Sequence, residues 1–402
     1  MAQTPQTMME DISYDDIRPY RDDEVQAAAT ALLDDPEAGS LLRMLLAEAG
    51  IDDSALVGLT RVQDFKAWVV APVLRKLVGK SAFSLTSSGK SSLDETGATK
   101  YTFVSNHRDI ILDSALLNLV LLEAGMPMPE IAIGDNLLLR PWIRDVVRLS
   151  GAFIVKRSVG VKEMLSESAK LSGYMRRNIT EGRASQWIAQ REGRAKDSND
   201  RTQPSVLKML AMSGEKGEDI FRNLAALNIV PVAFSYEYDP CDYLKALELL
   251  QKARGTYKKE EKISDILSMQ TGLTGKKGRI HLAIGSPIGE RLRELSSESA
   301  SLPRNEALKV VARIIDESIH EKYRFYPGNY AAYDLLHGGA LPEGLYSKRE
   351  RLQFELYLED QLDKLREFKE AKGEREFLYA KLLEMYSNPL KNHLELKKKK
   401  GQ

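Results

Sequence analysis

The chain has 402 residues, a length that predicts two or three domains with a substantial core. Its 58 basic and 58 acidic residues cancel, so no overall field draws the protein to nucleic acid, and we expect no nucleic-acid partner. A single cysteine, Cys241, excludes an internal disulfide and any site built from several cysteines. The five histidines show no metal-ligand spacing, so we predict no metal site.

Two segments bear on membranes and export. The first residues, Met1 to Pro5, are polar and lead into acidic positions, without the basic start and apolar centre of a signal peptide. The strongest apolar run, Ala115 to Ala124, is interrupted by Asn118 and Glu123 and is shorter than the ~20 residues that cross a bilayer. We therefore expect a cytoplasmic protein that visits membranes without spanning them.

Residues 1–84 are predicted to form a small helical domain. Asp22-Asp23-Glu24 is typical of a helix start, and Asp35-Pro36-Glu37 begins a second helix with leucines at helical spacing. Residues 85–100 are dense in Ser, Thr and Gly and are predicted to be a linker. The run Ser88-Gly89-Lys90-Ser91 within it lacks the earlier glycine of a phosphate-binding loop.

From Tyr101 the chain alternates short apolar runs with amphipathic segments, which predicts an α/β domain over residues 101–290. We expect a mixed, mostly parallel sheet flanked by helices. Ligand sites in such sheets lie beyond the carboxyl ends of the strands. The predicted strands are Thr102 to Val104, Glu130 to Ile133, Phe153 to Val155, Gln186 to Ala189, Val230 to Phe234 and Arg279 to Ile284.

Residues 291–402 are predicted to form a helical C-terminal extension with a basic tail. It comprises an amphipathic helix over Glu306 to His320, a loop over Phe325 to Gly339 and one or two charged helices over Lys348 to Tyr386. Ser387-Asn388-Pro389 predicts a helix stop. For the tail beyond it we expect a solvated, disordered end, and the alternative is an electrostatic contact with anionic lipid.

The strongest candidate for catalysis is His107, which follows one predicted strand and precedes an apolar helical segment. A neutral imidazole, with an ordinary pKa of about 6.5, can accept a proton from a hydroxyl near neutral pH. An acidic neighbour has to orient such a base, and Asp109 and Asp113 both qualify.

In three later segments, a predicted strand is followed by residues that can bind phosphate or form a turn. These segments are Gly151 to Arg157, Trp187 to Lys196 and Ile229 to Glu237. In the second, glycine in Glu192-Gly193 lets the backbone turn, so that Arg194 and Lys196 can face the same cleft as His107.

These four segments, in this order, resemble the four blocks of the glycerolipid acyltransferase superfamily, which includes bacterial glycerol-3-phosphate and 1-acylglycerol-3-phosphate acyltransferases. The family separates its His and Asp by four residues, whereas five separate His107 from Asp113. The apolar residues around Asp113 match the family pattern, and Asp109 remains the alternative. The third block, Glu192-Gly193-Arg194, lacks one residue between the glycine and the arginine.

The resemblance implies transfer of a fatty acyl group from acyl-CoA or acyl carrier protein to a hydroxyl of glycerol-3-phosphate or 1-acylglycerol-3-phosphate. It implies His107 as the base and Asp113 as its orienting partner. Arg157, Arg194 and Lys196 would bind the anionic head group, with Glu192-Gly193 forming the turn. No cofactor is expected beyond the thioester co-substrate.

Two alternatives remain: acylation of another lyso-lipid, and a non-catalytic lipid-binding protein on the same fold. In each case, glycerol phosphate acylation included, we expect peripheral contact with the inner face of an anionic membrane. His107-Arg108-Asp109 also matches the start of a protein-kinase catalytic loop, but Ser114 stands where that motif needs Asn, which excludes a kinase.

Overall fold

The computed structural model describes residues 12–258, 265–299, 301–339 and 341–401. The polar segment from Met1 to Pro5, on which the predicted lack of a signal peptide depends, lies outside the described residues.

The N-terminal region is helical, as predicted. The carboxylate of Asp35 accepts hydrogen bonds from the backbone N–H groups of Glu37 and Ala38 at 2.9 and 2.8 Å, so the second helix begins where the sequence indicates. Leu46 and Phe65 pack against Leu149 of the α/β region. The helices are α1 (Val25–Asp34), α2 (Pro36–Ala49), α3 (Ser54–Val57), α4 (Val62–Phe65), a π-helical turn (Lys66–Val70) and α5 (Ala71–Ser81).

Seven strands in the described part of the chain form one sheet in the order β1-β7-β6-β2-β5-β3-β4. Among the strand pairs of the described residues, only β6–β7 is antiparallel, so the predicted mixed, mostly parallel sheet is confirmed. The six predicted strands are also confirmed. The strands are β1 (Ala82–Ser88), β2 (Thr102–Ser105), β3 (Glu130–Gly134), β4 (Ala152–Val155), β5 (Gln186–Ala189), β6 (Ile229–Tyr236) and β7 (Gly278–Ile284).

The linker expected over residues 85–100 is wrong at its start, because residues 85–88 belong to β1 at the edge of the sheet. Leu85 lies opposite Ile280 and Ser88 opposite Ala283 of β7. An edge strand has one open side and tolerates polar residues, so its Ser- and Thr-rich sequence lacks the apolar pattern of a central strand.

Helices cover both faces of the sheet. On one face, Leu116 and Val120 of α6 pack against β2 and β6. On the other face, Met175 of α8 and Leu224 of α10 share a core with Ile315 of the C-terminal region. The helices of this region are α6 (Leu112–Glu123), α7 (Pro141–Leu149), α8 (Val161–Thr180), α9 (Pro204–Leu210), α10 (Ile220–Ala225), α11 (Asp242–Ala253), α12 (Asp265–Thr274) and α13 (Gly289–Ser299).

The C-terminal extension is helical, and consists of α14 (Arg304–Lys322), α15 (Pro327–His337), α16 (Lys348–Lys364) and α17 (Arg375–Lys399). The loop predicted over Phe325 to Gly339 is wrong because α15 occupies most of it. Proline at the first position favours a helix start, and Gly338, with φ of 69°, ends the helix in the left-handed region.

The predicted helix stop at Ser387-Asn388-Pro389 is also wrong, since α17 continues through Pro389 to Lys399. Proline removes one helical hydrogen bond, but Leu390 and Leu396 beyond it are buried, at 3 % and 5 % exposure. Their burial keeps the final turns helical. The disordered tail that we expected is therefore a docked helix end.

Candidate active site

The candidate site lies at the carboxyl ends of β2 and β5, which are neighbours in the sheet. His107 follows β2, and its ring meets the ring of Trp187 on β5 edge-on, with the centroids 5.8 Å apart. The Trp187 indole N–H donates to Ser105 Oγ at 2.9 Å and so fixes this wall of the site. The imidazole is 14 % exposed, enough to meet a substrate while most of it is shielded from water.

His107 and Asp113 form a hydrogen-bonded pair, with His107 Nδ1 2.9 Å from Asp113 Oδ2. The fully buried Asp113 carboxylate also accepts from the backbone N–H groups of Arg108 and Asp109, at 2.7 and 3.1 Å. Because Asp113 Oδ2 acts as the acceptor toward both backbone N–H groups, we assign the imidazole proton to Nδ1. Nε2 is left with a free lone pair, as a general base requires.

Asp109, the alternative partner, has a different position. Its Oδ1 accepts from the backbone N–H groups of Ile111 and Leu112 at 2.9 and 2.8 Å, which caps the start of α6. Burial and the adjacent charge of Asp113 raise the pKa of the Asp109 carboxyl. The structure thus places Asp113, and not Asp109, against His107.

Tyr236, at the end of β6, contributes a contact that sequence analysis missed. Its hydroxyl donates to Asp113 Oδ1 at 2.9 Å, so both carboxylate oxygens are satisfied. Burial, together with the charge of Asp113, holds the pKa of Tyr236 well above its ordinary value, and the hydroxyl therefore stays protonated. The predicted strand, Val230 to Phe234, stops two residues before this tyrosine, and only the strand order shows that β6 lies beside β2.

Arg194 enters the site from the segment after β5. The backbone N–H of Ala195 donates to the carbonyl oxygen of His107 at 3.1 Å, which holds the two segments together. Gly193 has φ of 67°, the left-handed conformation that the turn requires. The Arg194 side chain is buried, at 8 % exposure, and makes no hydrogen bond or ion pair within the described ranges. A buried arginine without a hydrogen-bonded or ion-paired partner, which interacts with Asp109 only at longer range, is a strong candidate to bind an anion.

Glu192 and Lys196, which flank Arg194, are engaged differently. Glu192 is exposed, and its backbone N–H donates to Gln203 Oε1 at 2.8 Å. The Lys196 ammonium lies 2.7 Å from the Glu248 carboxylate. Burial and the charge of Arg194 lower the pKa of Lys196 to about 8. Since Glu248 already neutralises Lys196, the structure favours Arg194 over Lys196 as an anion ligand.

Arg157 lies apart from the other predicted site residues. It is exposed just beyond β4, where its backbone N–H donates to Asp135 Oδ1 at 3.0 Å. β4 is three strands away from β2 in the sheet, a separation of roughly 14 Å at the usual strand spacing. The structure therefore does not bring Arg157 next to His107.

A buried network lies beneath the His107 turn and was also missed from sequence. Arg108 pairs with Asp200 at 2.7 Å, and its Nε donates to the Tyr323 hydroxyl at 3.1 Å. Asn106 donates to the same hydroxyl at 2.9 Å. Because Tyr323 directly follows α14, this network connects the turn to the C-terminal helices.

Over the described ranges, no group of three or more His, Cys, Asp or Glu side chains is arranged to hold a metal ion. Within the same ranges, every helix is too short or too polar to cross a membrane.

Comparison with known proteins is consistent with this geometry. Residues 85–235 match a family model described as Acyltransferase. The dihydroxyacetone phosphate acyltransferase of Bos taurus is 27 % identical over 186 residues, which cover 46 % of this chain and 26 % of that protein. The glycerol-3-phosphate acyltransferase of Pseudomonas entomophila is 27 % identical over 248 residues, which cover 58 % of this chain and 28 % of that protein. The matches therefore span less than a third of the length of these relatives.

The solved structure of the 1-acyl-sn-glycerophosphate (LPA) acyltransferase from Thermotoga maritima aligns with a TM-score of 0.33 and 11 % identity, covering 69 % of this chain and 93 % of that one.

Proposed function

We propose that this chain, whose residues 85–235 match the Acyltransferase family model, is an acyltransferase of the glycerolipid superfamily that transfers a fatty acyl group from a thioester to a glycerol phosphate acceptor. The observation that carries the proposal is the His107–Asp113 pair with the buried, unpaired Arg194 beside it. The three groups provide a base, its orienting acid and an anion ligand at one edge of the sheet.

In the proposed reaction, His107 Nε2 accepts the proton of the acceptor hydroxyl as its oxygen attacks the thioester carbonyl. The carbon–sulfur bond then breaks, and the proton passes from the imidazolium to the departing thiolate. Asp113 stabilises the imidazolium between these steps, while Tyr236 and two backbone N–H groups keep the carboxylate oriented. No acyl-enzyme is required, because the thioester is already activated.

For the acceptor we propose glycerol-3-phosphate or 1-acylglycerol-3-phosphate, which share a phosphate and a free hydroxyl. Arg194 would bind the phosphate through its planar fork of N–H donors and set the hydroxyl toward Nε2. Two of the relatives are named for small three-carbon phosphates, dihydroxyacetone phosphate and glycerol-3-phosphate, which supports a phosphate ligand. For the donor we propose acyl-CoA or acyl carrier protein.

We also propose that the protein works in the cytoplasm, in peripheral contact with the inner face of an anionic membrane. The basic last turn of α17, with Lys397, Lys398 and Lys399, provides one cationic surface for such a contact. Sedimentation with vesicles containing anionic lipid, at low and high salt, tests it.

The function is tested by incubating the purified chain with every pairing of the two acceptors and two donors and identifying products by mass spectrometry. We expect one acylated glycerol phosphate product in at least one pairing. Stable binding of lipid without any new ester would favour the non-catalytic alternative.

A further inference from the structure

A buried lysine lies directly beneath the candidate catalytic turn. Lys245, on α11, is 1 % exposed, and its ammonium donates to the carbonyl oxygen of Arg108 at 2.9 Å. Arg108 stands between His107 and Asp109, and its N–H is one of the donors to Asp113. The peptide unit before Arg108 is thus held by Asp113, and the one after it is held by both Asp113 and Lys245.

The second partner of Lys245 is Asp239, with which it forms a buried ion pair. Burial alone would favour the neutral carboxyl, but the Lys245 ammonium keeps the pKa of Asp239 below its ordinary value. Removing two charges from water is costly, and apolar side chains of similar size often stabilise a core equally well. The pair is therefore poorly explained by stability alone, whereas its contact with the turn gives it a geometric role.

The C-terminal helices hold the other end of this connection. The backbone N–H of Asp239 donates to the hydroxyl of Tyr386 on α17 at 3.0 Å, and the Tyr357 hydroxyl on α16 lies 3.3 Å from the Asp239 carbonyl oxygen. Both hydroxyls also donate to the buried carboxylate of Asp242, each at 2.7 Å. A continuous set of contacts thus runs from the C-terminal helices through Asp239 and Lys245 to the turn that carries His107.

We propose that Lys245 is a positioning residue for acyl transfer, and that the C-terminal helices hold the His107–Asp113 pair in its reactive geometry through it. The kinetic consequence rests on the function proposed above. The geometric consequence does not, because it concerns only how the turn is held.

The test uses the full chain and the double variant Lys245→Met/Asp239→Asn, which removes both charges and so leaves no unpaired buried ion. Lys66→Met is the matched control, since Lys66 is also buried, at 2 % exposure, but donates to the carbonyl oxygens of Met128 and Pro129 at the amino end of β3. The first readout is the low-field proton resonance of His107 Nδ1–H, assigned by its loss in His107→Ala. The second is kcat, with the KM of donor and acceptor measured separately.

We expect the double variant to shift or broaden the His107 resonance and to lower kcat by up to ~10²-fold with little change in either KM. The control should leave both unchanged at temperatures where it is folded. An unperturbed resonance in the folded double variant, or a kcat equal to that of Lys66→Met, would overturn the proposal. If the wild-type chain transfers no acyl group, the proposed function fails, and the resonance alone decides on the positioning role.

Discussion

At the residue scale, two aspartates compete as the partner of His107, and the structure separates them. Asp113 accepts the imidazole N–H, while Asp109 caps α6. Sequence spacing cannot make this distinction because both acids follow the same histidine within one turn of chain. Sequence spacing also cannot predict the contacts of Tyr236 with Asp113 and of Lys245 with the His107 turn, because these contacts depend on strand order and helix packing.

Exchanging each acid for its amide tests these positions. Asp113→Asn should lower kcat by at least about 10²-fold, because an amide stabilises the imidazolium poorly and its NH₂ group conflicts with the N–H donors around it. Asp109→Asn keeps a cap oxygen for α6 and should change kcat only slightly. Steady-state rates of the two variants are compared at equal folded fraction. A larger loss in Asp109→Asn would reverse the assignment.

Arg194 carries a second prediction. Arg194→Lys retains the charge and loses the planar fork, so the KM for the phosphate acceptor should rise roughly 10-fold, equivalent to about 1.4 kcal/mol, with some loss of kcat. Arg183→Lys is the control, because Arg183 forms a surface ion pair with Glu181 before β5 begins. A defect confined to the KM of the thioester donor would place Arg194 against the donor instead.

At the element scale, the sequence predicts β2 to β7 and the helices α1, α2, α14 and α16 because their apolar periodicity is strong. The prediction fails at β1, α15 and the end of α17, because tertiary contacts determine the secondary structure of these segments. β1 is a polar edge strand paired with β7. The end of α17 stays helical past Pro389 because its leucines are buried. The local pattern of each element can be predicted from its sequence, but the neighbouring surfaces that pack against it cannot.

Docking of the α17 end predicts a measurable stability contribution. Leu390→Ala should lower the free energy of unfolding by about 2–4 kcal/mol, as expected when a buried leucine leaves a cavity. Leu356→Ala on α16 removes the same atoms from a residue that is 57 % exposed, and it should change the free energy of unfolding by less than ~0.5 kcal/mol. Denaturant unfolding of both variants measures the difference. Equal effects would mean that the helix end is not docked.

Asp242 accepts hydrogen bonds from hydroxyl groups on α16 and α17. Its titration predicts that the stability of the fold depends on pH. Burial, followed by the charge of Asp239, raises its pKa from an ordinary 3.8 to about 7. Between about pH 4 and pH 7 the unfolded chain has lost this proton while the folded chain retains it, so this group's stabilising contribution falls as pH rises through that window. Above about pH 7 both states are ionised and the contribution becomes constant.

Asp242→Asn removes this titration. The wild-type chain should therefore lose up to about 4 kcal/mol more unfolding free energy than Asp242→Asn between about pH 4 and pH 7. Urea unfolding of both proteins across this range measures the difference. Parallel stability curves would show that Asp242 is ionised throughout.

At the scale of the whole molecule, the α/β region holds the proposed base, its orienting acid and the proposed anion ligand at one edge of the sheet. The C-terminal helices support that edge from beneath through Lys245 and Tyr323. The family match covers residues 85–235 and leaves these later helices outside it. The sequence predicts the region as helical, whereas its connection to the active site emerges only from the fold.

The central claim is that His107 is the base for transfer of an acyl group to a glycerol phosphate acceptor. The most direct measurement is the rate of ester formation by the wild-type chain and by His107→Ala, with His337→Ala, an exposed histidine on α15, as the control. We predict that His107→Ala lowers the rate by roughly 10²–10⁴-fold while its thermal unfolding is unchanged, and that His337→Ala retains full activity. Near wild-type ester formation by folded His107→Ala would contradict the claim.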